Sequence, residues 1–103
     1  MEPMRYDFMI PANHPALVDH FPGNPLVPGA LLLDHVLLGC ELFAAEDFHS
    51  AALKEIKFKS PLRGHELAHV TYSQSPMGLR FKVEVDDREV ASGILSLLHS
   101  PKD

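Results

Sequence analysis

The chain has 103 residues, 46% of them apolar and 22% charged, with a formal net charge of −5. That length suits one domain with a modest core, residues 1–103, and the composition is that of an ordinary globular protein. The acidic balance argues against nucleic acid as a partner, and the absence of about 18 uninterrupted apolar residues argues against a membrane span.

The N-terminal "MEPMRYDFMI" has no basic region followed by an apolar one, so it does not read as a signal peptide. A cytoplasmic location is the expectation. Residues Arg5 to Ile10 read as a short strand, because Tyr6, Phe8 and Ile10 alternate with Asp7 and Met9. Pro11 ends it. The stretch "ANHPALVDHFPGNPLVPG" then carries Pro15, Pro22, Pro25 and Pro28, which forbid a continuous helix and remove ladder donors. A long irregular segment in a small domain is often a functional loop.

Pro28 suits the first helical position, where its missing N–H costs nothing. From Gly29 to about Ala45 the pattern is helical and apolar on nearly every face. Such a helix belongs in the middle of a fold, wrapped by other structure. The lone cysteine, Cys40, lies in this run and reads as a buried, inert thiol.

Four strand candidates follow. Ala52 to Lys59 alternates imperfectly, with "SPLRGHE" as a turn after it. Leu67 to Gln74 leads through "SPMG" into Leu79 to Val85, where Leu79, Phe81, Val83 and Val85 share one face and Arg80, Lys82 and Glu84 the other. "DDR" then turns into Glu89 to Leu98. Short turns between consecutive strands suggest an antiparallel meander. The expected architecture is α+β, one curved antiparallel sheet around one helix. A chain this short cannot easily cover such a helix, so a dimer is expected.

Charge and chemistry concentrate in two places. "LKEIKFKSPLR" sets Lys54, Lys57, Lys59 and Arg63 against Glu55 alone. A solvated strand face explains this, and so does a docking patch for an acidic partner. The other place is "HFPGNPLVPGALLLDH". His20 titrates in the range a general base needs. Pro28–Gly29 opens a helix whose first N–H groups are unpaired and carry the positive end of the dipole, and glycine lets a ligand approach them. Asp34 sits among leucines, on a stripe with Leu38, Glu41 and Ala45. If buried it is costly as an anion and usable, when protonated, as a general acid; if it faces water or pairs across an interface it is ordinary. Base, oxyanion donor and acid in one segment fit proton abstraction beside a thioester carbonyl, with loss of a β-hydroxyl. His14, His20 and His35 have no metal-ligand spacing, so neither a metal nor a cofactor is expected.

The same stretch resembles the signature of the bacterial 3-hydroxyacyl-[acyl-carrier-protein] dehydratases of the hot-dog fold: H-F-P-x-x-P-x-x-P-G, with an acid five residues on. His20, Phe21, Pro22, Pro25, Pro28, Gly29 and Asp34 match it in register. "IKFKSPLRGHEL" and "REVASGIL" resemble later stretches of that family, and the likeness covers roughly residues 4–98. It implies two subunits sharing a continuous sheet, with each site taking the histidine from one chain and the acid from the other. In those roles His20 takes the α-proton, Asp34 protonates the leaving hydroxyl and the Gly29 N–H binds the thioester oxygen. The partner implied is an acyl carrier protein with a phosphopantetheine-linked substrate, docked on Lys54, Lys57, Lys59 and Arg63.

Some positions depart from the pattern. Asp34 stands where broad-range members usually have Glu, as in the 3-hydroxydecanoyl branch. Leu38 stands where the family usually has Gln. The chain also begins near the strand ahead of the loop, where the family usually has a further N-terminal segment. Two other readings share the fold: a thioesterase that directs water at the thioester, and a non-catalytic carrier-binding subunit. The presence of both His20 and Asp34 favours the dehydratase.

Overall fold

The computed structural model describes residues 4–11, 13–15, 26–42 and 48–99, without the side chains at 42, 48–51 and 97–99. Chain order is β1 (Met4–Met9), α1 (Gly29–Leu42), β2 (Phe48–Phe58), β3 (Leu67–Ser75), β4 (Gly78–Val85) and β5 (Arg88–His99). The strands form one antiparallel sheet in the order β1-β3-β4-β5-β2. The helix lies against β1, β2 and β3. This is the α+β architecture expected.

The strand order corrects the expected meander. Only β3, β4 and β5 follow one another in space; β2 pairs with β5 at the far edge. The stretch after β2 is therefore a crossing from one edge of the sheet towards the other. Backbone bonds pin it: Lys59 and Ser60 donate to the Val90 carbonyl at 2.8 and 3.3 Å, Val27 donates to Leu62 at 2.7 Å, and His65 donates to Ile10 at 2.7 Å.

Alternation explains most of the sheet. On β4, Leu79, Phe81, Val83 and Val85 are buried, while Arg80 and Lys82 are exposed. β2 breaks the rhythm because its register with β5 shifts between Leu53 and Glu55. Lys54 is the additional residue, so Leu53 opposite Leu95 and Ile56 opposite Gly93 fall on the same face although three apart. That bulge is the reason for the imperfect alternation. As the edge strand, β2 is exposed at Ala52–Glu55 and again at Lys57 and Phe58.

The helix is less enclosed than its composition implies. Leu32, Val36, Gly39 and Cys40 are buried on one side, and Ala30, Asp34, Leu38 and Glu41 form an exposed stripe on the other. Cys40 is 3% exposed, as expected of a packed thiol, and burial, with Glu41 nearby, pushes its pKa up. No described helix is long and apolar enough to cross a membrane.

Candidate functional site around the start of the helix

Leu26 makes an isolated antiparallel bridge with Arg63, and with the Val27–Leu62 bond this ties the chain ahead of α1 to the crossing after β2. Pro28 stands just before the first helical residue rather than on it. Its carbonyl accepts from Leu31 and Leu32, both at 3.1 Å, which is the N-cap role. The N–H groups of Gly29 and Ala30 take no hydrogen bond among the described residues. Such groups carry the positive end of the helix dipole.

Beside Gly29 lies a pocket of about 290 Å³. Val27, Leu32, Leu62 and Val90 give it apolar walls, with Lys59 and Ser60 at its polar side. Phe58 closes over the glycine: a Cβ at position 29 would lie 3.0 Å from Phe58 Cζ. An alanine here would press on the ring, which would have to give by a few tenths of an ångström. Phe58 is nonetheless 55% exposed, a large aromatic surface at the end of an edge strand. The sequence signal for it is an aromatic set between two lysines, easily read as one more core residue.

Asp34 lies five residues into α1, about 7.5 Å along the axis from Gly29. Its side chain is exposed and has no hydrogen bond or ion pair among the described residues. The single chain therefore does not bury this acid. It points from the exposed stripe, with Leu38, 44% exposed, one turn further on. His20, together with Phe21, Pro22 and Pro25 of the motif, lies outside the described residues.

The next residue, His35, faces the other way. Its ring stacks on Phe8 with centroids 4.4 Å apart and planes 7° apart, and Nδ1 lies 3.4 Å from Tyr6 Oη. Burial lowers its pKa; Asp34 opposes the shift and His14 adds to it. Among the described residues no three metal-ligating side chains cluster.

The four basic residues of the sequence patch do not stay together. Lys54 Nζ donates to the Met77 carbonyl at 3.1 Å, and Arg63 is held in the crossing beside Leu26. Lys57 and Lys59 instead join Arg80 and Lys82 on the outer face of the sheet. The last two escaped the sequence reading because their neighbours depend on the order β4-β5-β2.

Residues 1–94 match the family described as ApeI-like, ApeI dehydratase. A 61-residue segment is 34% identical to the 3-hydroxyacyl-[acyl-carrier-protein] dehydratase FabZ of Haemophilus influenzae, covering 52% of this chain and 41% of that protein. The FabZ of Klebsiella pneumoniae is 29% identical over 85 residues, covering 71% of this chain and 56% of that protein. The matches thus span about half the length of these relatives. In fold, the dehydratase heterocomplex ApeI:P of Xenorhabdus doucetiae superposes with a TM-score of 0.75 at 19% identity, covering 96% of this chain and 100% of that one. The fluoroacetyl-CoA thioesterase FlK superposes with a TM-score of 0.57 at 13% identity, covering 95% of this chain and 86% of that one. The fold is therefore shared by a dehydratase and a thioesterase. Family membership comes from the match along the sequence, which includes the proline-rich loop, Gly29 and Asp34, and on that match the chain belongs to the ApeI-like dehydratase family of hot-dog proteins.

Proposed function

We propose that this protein removes water from a 3-hydroxyacyl thioester, carried by an acyl carrier protein, to give the trans-2-enoyl thioester. The observation that carries the reading is that one helix sets, among the described residues, unbonded N–H groups at Gly29 and an exposed acid without an ion pair at Asp34. The FabZ relatives, named for this reaction, support it.

In this mechanism the thioester oxygen accepts a hydrogen bond from the Gly29 N–H, which stabilises the negative charge that builds as C2 loses its proton. His20 takes that proton. The C3–O bond breaks, and Asp34 supplies the proton with which the hydroxyl leaves as water. Transfer of the proton from His20 back to Asp34 resets the site. In this reading Asp34 enters the reaction as the protonated acid. A second subunit laid on the stripe of Ala30, Asp34, Leu38 and Glu41 would bury the acid and favour its neutral form. The active unit in this reading is therefore a dimer, each site joining His20 of one chain to Asp34 of the other.

The test is incubation with 3-hydroxyacyl thioesters of graded length, followed by enoyl absorbance and by free-thiol release. A rise in enoyl absorbance without thiol is expected. Thiol release without an enoyl signal would assign thioesterase chemistry instead. No product of either kind from the dimer would make the chain a non-catalytic member.

A further inference from the structure

On the outer face of the sheet, opposite the helix, lies a groove of about 470 Å³ across β2, β5, β4 and β3. Its wall is a cross-strand row in register: Lys57 opposite Ser92, Ser92 opposite Lys82, Lys82 opposite Thr71. The next row adds Arg80 opposite Ser73. Four basic side chains (Lys57, Lys59, Arg80 and Lys82) line the groove with two acids, Glu55 and Glu89, in a chain whose net charge is −5.

Glu89 is already engaged. It holds Lys59 at 2.6 Å and lies 4.0 Å from Lys82, and those contacts, the Lys59 hydrogen bond foremost, keep its pKa below the usual carboxylate range. Lys57 and Arg80 form no ion pair among the described residues, and neither does Glu55 at the groove's end. Lys57 and Lys82 stand in one row on either side of Ser92, and of the two only Lys82 reaches an acid, Glu89, among the described residues.

We propose that this groove is the docking surface for the acidic face of the carrier protein that brings the thioester. The inference rests on the dehydratase reading and gives its partner a place. Two features favour an acidic protein surface over a single phosphate. The backbones of Lys57 and Lys82 are two strand spacings apart, about 9.6 Å, and Arg80 lies about 7 Å along β4 from Lys82. Charges spread over such a plate match carboxylates spaced along a surface better than one point anion. The groove also shares Lys59 with the pocket beside Gly29. A protein lying along the groove thus reaches a residue that also lines that pocket.

The docking face therefore differs from the run of charge in the sequence: Arg80 and Lys82 belong to it, and Lys54 and Arg63 do not. The test is fluorescence anisotropy of a labelled acidic acyl carrier protein, without its acyl arm, titrated with the full chain at two salt concentrations. Lys57→Glu with Arg80→Glu should weaken binding at least about tenfold and flatten the salt dependence. The milder Lys57→Gln with Arg80→Gln should weaken it in the same direction. Lys54→Glu should stay within about twofold of wild type. Circular dichroism checks that each variant is folded.

Unchanged binding in both double variants would overturn the proposal, as would a loss confined to Arg63→Glu. A change in oligomeric mass with carrier binding unaltered would assign the groove to a second copy and overturn it as well. Because binding is read without turnover, the two readings fail separately. Carrier binding that depends on the groove, in a protein that turns over no thioester, would remove the reaction and leave the surface. Turnover of small thioesters with charge-insensitive carrier binding would do the reverse.

Discussion

The phenol of Tyr72 donates a 2.6 Å hydrogen bond to the carbonyl of Val36, fastening the sheet to the middle of α1. Tyr72 is 2% exposed, and desolvation by this burial pushes its pKa far up, so it remains a donor throughout the accessible pH range. Gly39 makes the approach possible, since a Cβ there would collide with the Tyr72 hydroxyl and lie 2.7 Å from Tyr6 Cβ. The helix that carries Gly29 and Asp34 is thus held at a height that one glycine permits.

Tyr72→Phe should cost about 0.5 to 1.5 kcal/mol, the net contribution of one buried hydrogen bond. Gly39→Ala should cost about 1 to 3 kcal/mol, since backbone and two tyrosines must yield. Urea midpoints measure both. A Gly39→Ala protein as stable as wild type would mean that the close packing is not a constraint.

His35 should make stability depend on pH. Burial, opposed by Asp34 and reinforced by His14, holds its folded pKa below the ordinary value of about 6.5. The folded chain then binds fewer protons there than the unfolded one, so the contribution is present above about pH 6.5 and is lost as pH falls towards the folded pKa. Replacing His35 by Phe preserves an aromatic partner for Phe8 and removes the titration. The urea midpoint of the variant should fall less than that of wild type between about pH 6.5 and 5. Parallel curves would sink the assignment.

The exposed leucines speak to assembly. Leu38 is 44% exposed on α1 and Leu53 41% exposed on the edge strand β2. An exposed edge of this length invites pairing. A two-fold dimer burying more than about 1,200 Å² in total is expected. Light scattering at micromolar concentration should give twice the chain mass, and Leu38→Asp with Leu53→Asp should give a monomer. A monomeric wild type would contradict the shared site.

Catalysis gives the strictest test. His20→Ala and Asp34→Asn should each lower kcat by about 10² to 10⁴, and the double variant should be little worse than either. If each site takes one residue from each chain, mixing the two inactive single variants should restore part of the activity. In the mixed dimer one site holds both native residues and the other holds neither. Verified subunit exchange without recovery would mean that both residues come from one chain, or that one of them is not catalytic.

How much of this was legible beforehand differs between elements. The strands at Leu67 and Leu79 and the helix at Gly29 were readable because side-chain period is a local property: successive residues of β4 must alternate between core and solvent wherever the strand lies. The family, too, was readable, because fixed spacing around Pro28, Gly29 and Asp34 survives in one dimension. The position of β2 was not. Which strand becomes a neighbour is decided by packing across the whole sheet, and the crossing after β2, pinned to Val90, Val27 and Ile10, carries that strand to the edge beside β5. Tertiary structure alone therefore brought Phe58 over Gly29, parted Lys54 and Arg63 from Lys57 and Lys59, and set Arg80 and Lys82 beside them. It also left Asp34 on an open stripe, because a five-stranded sheet from one short chain covers only one side of an apolar helix.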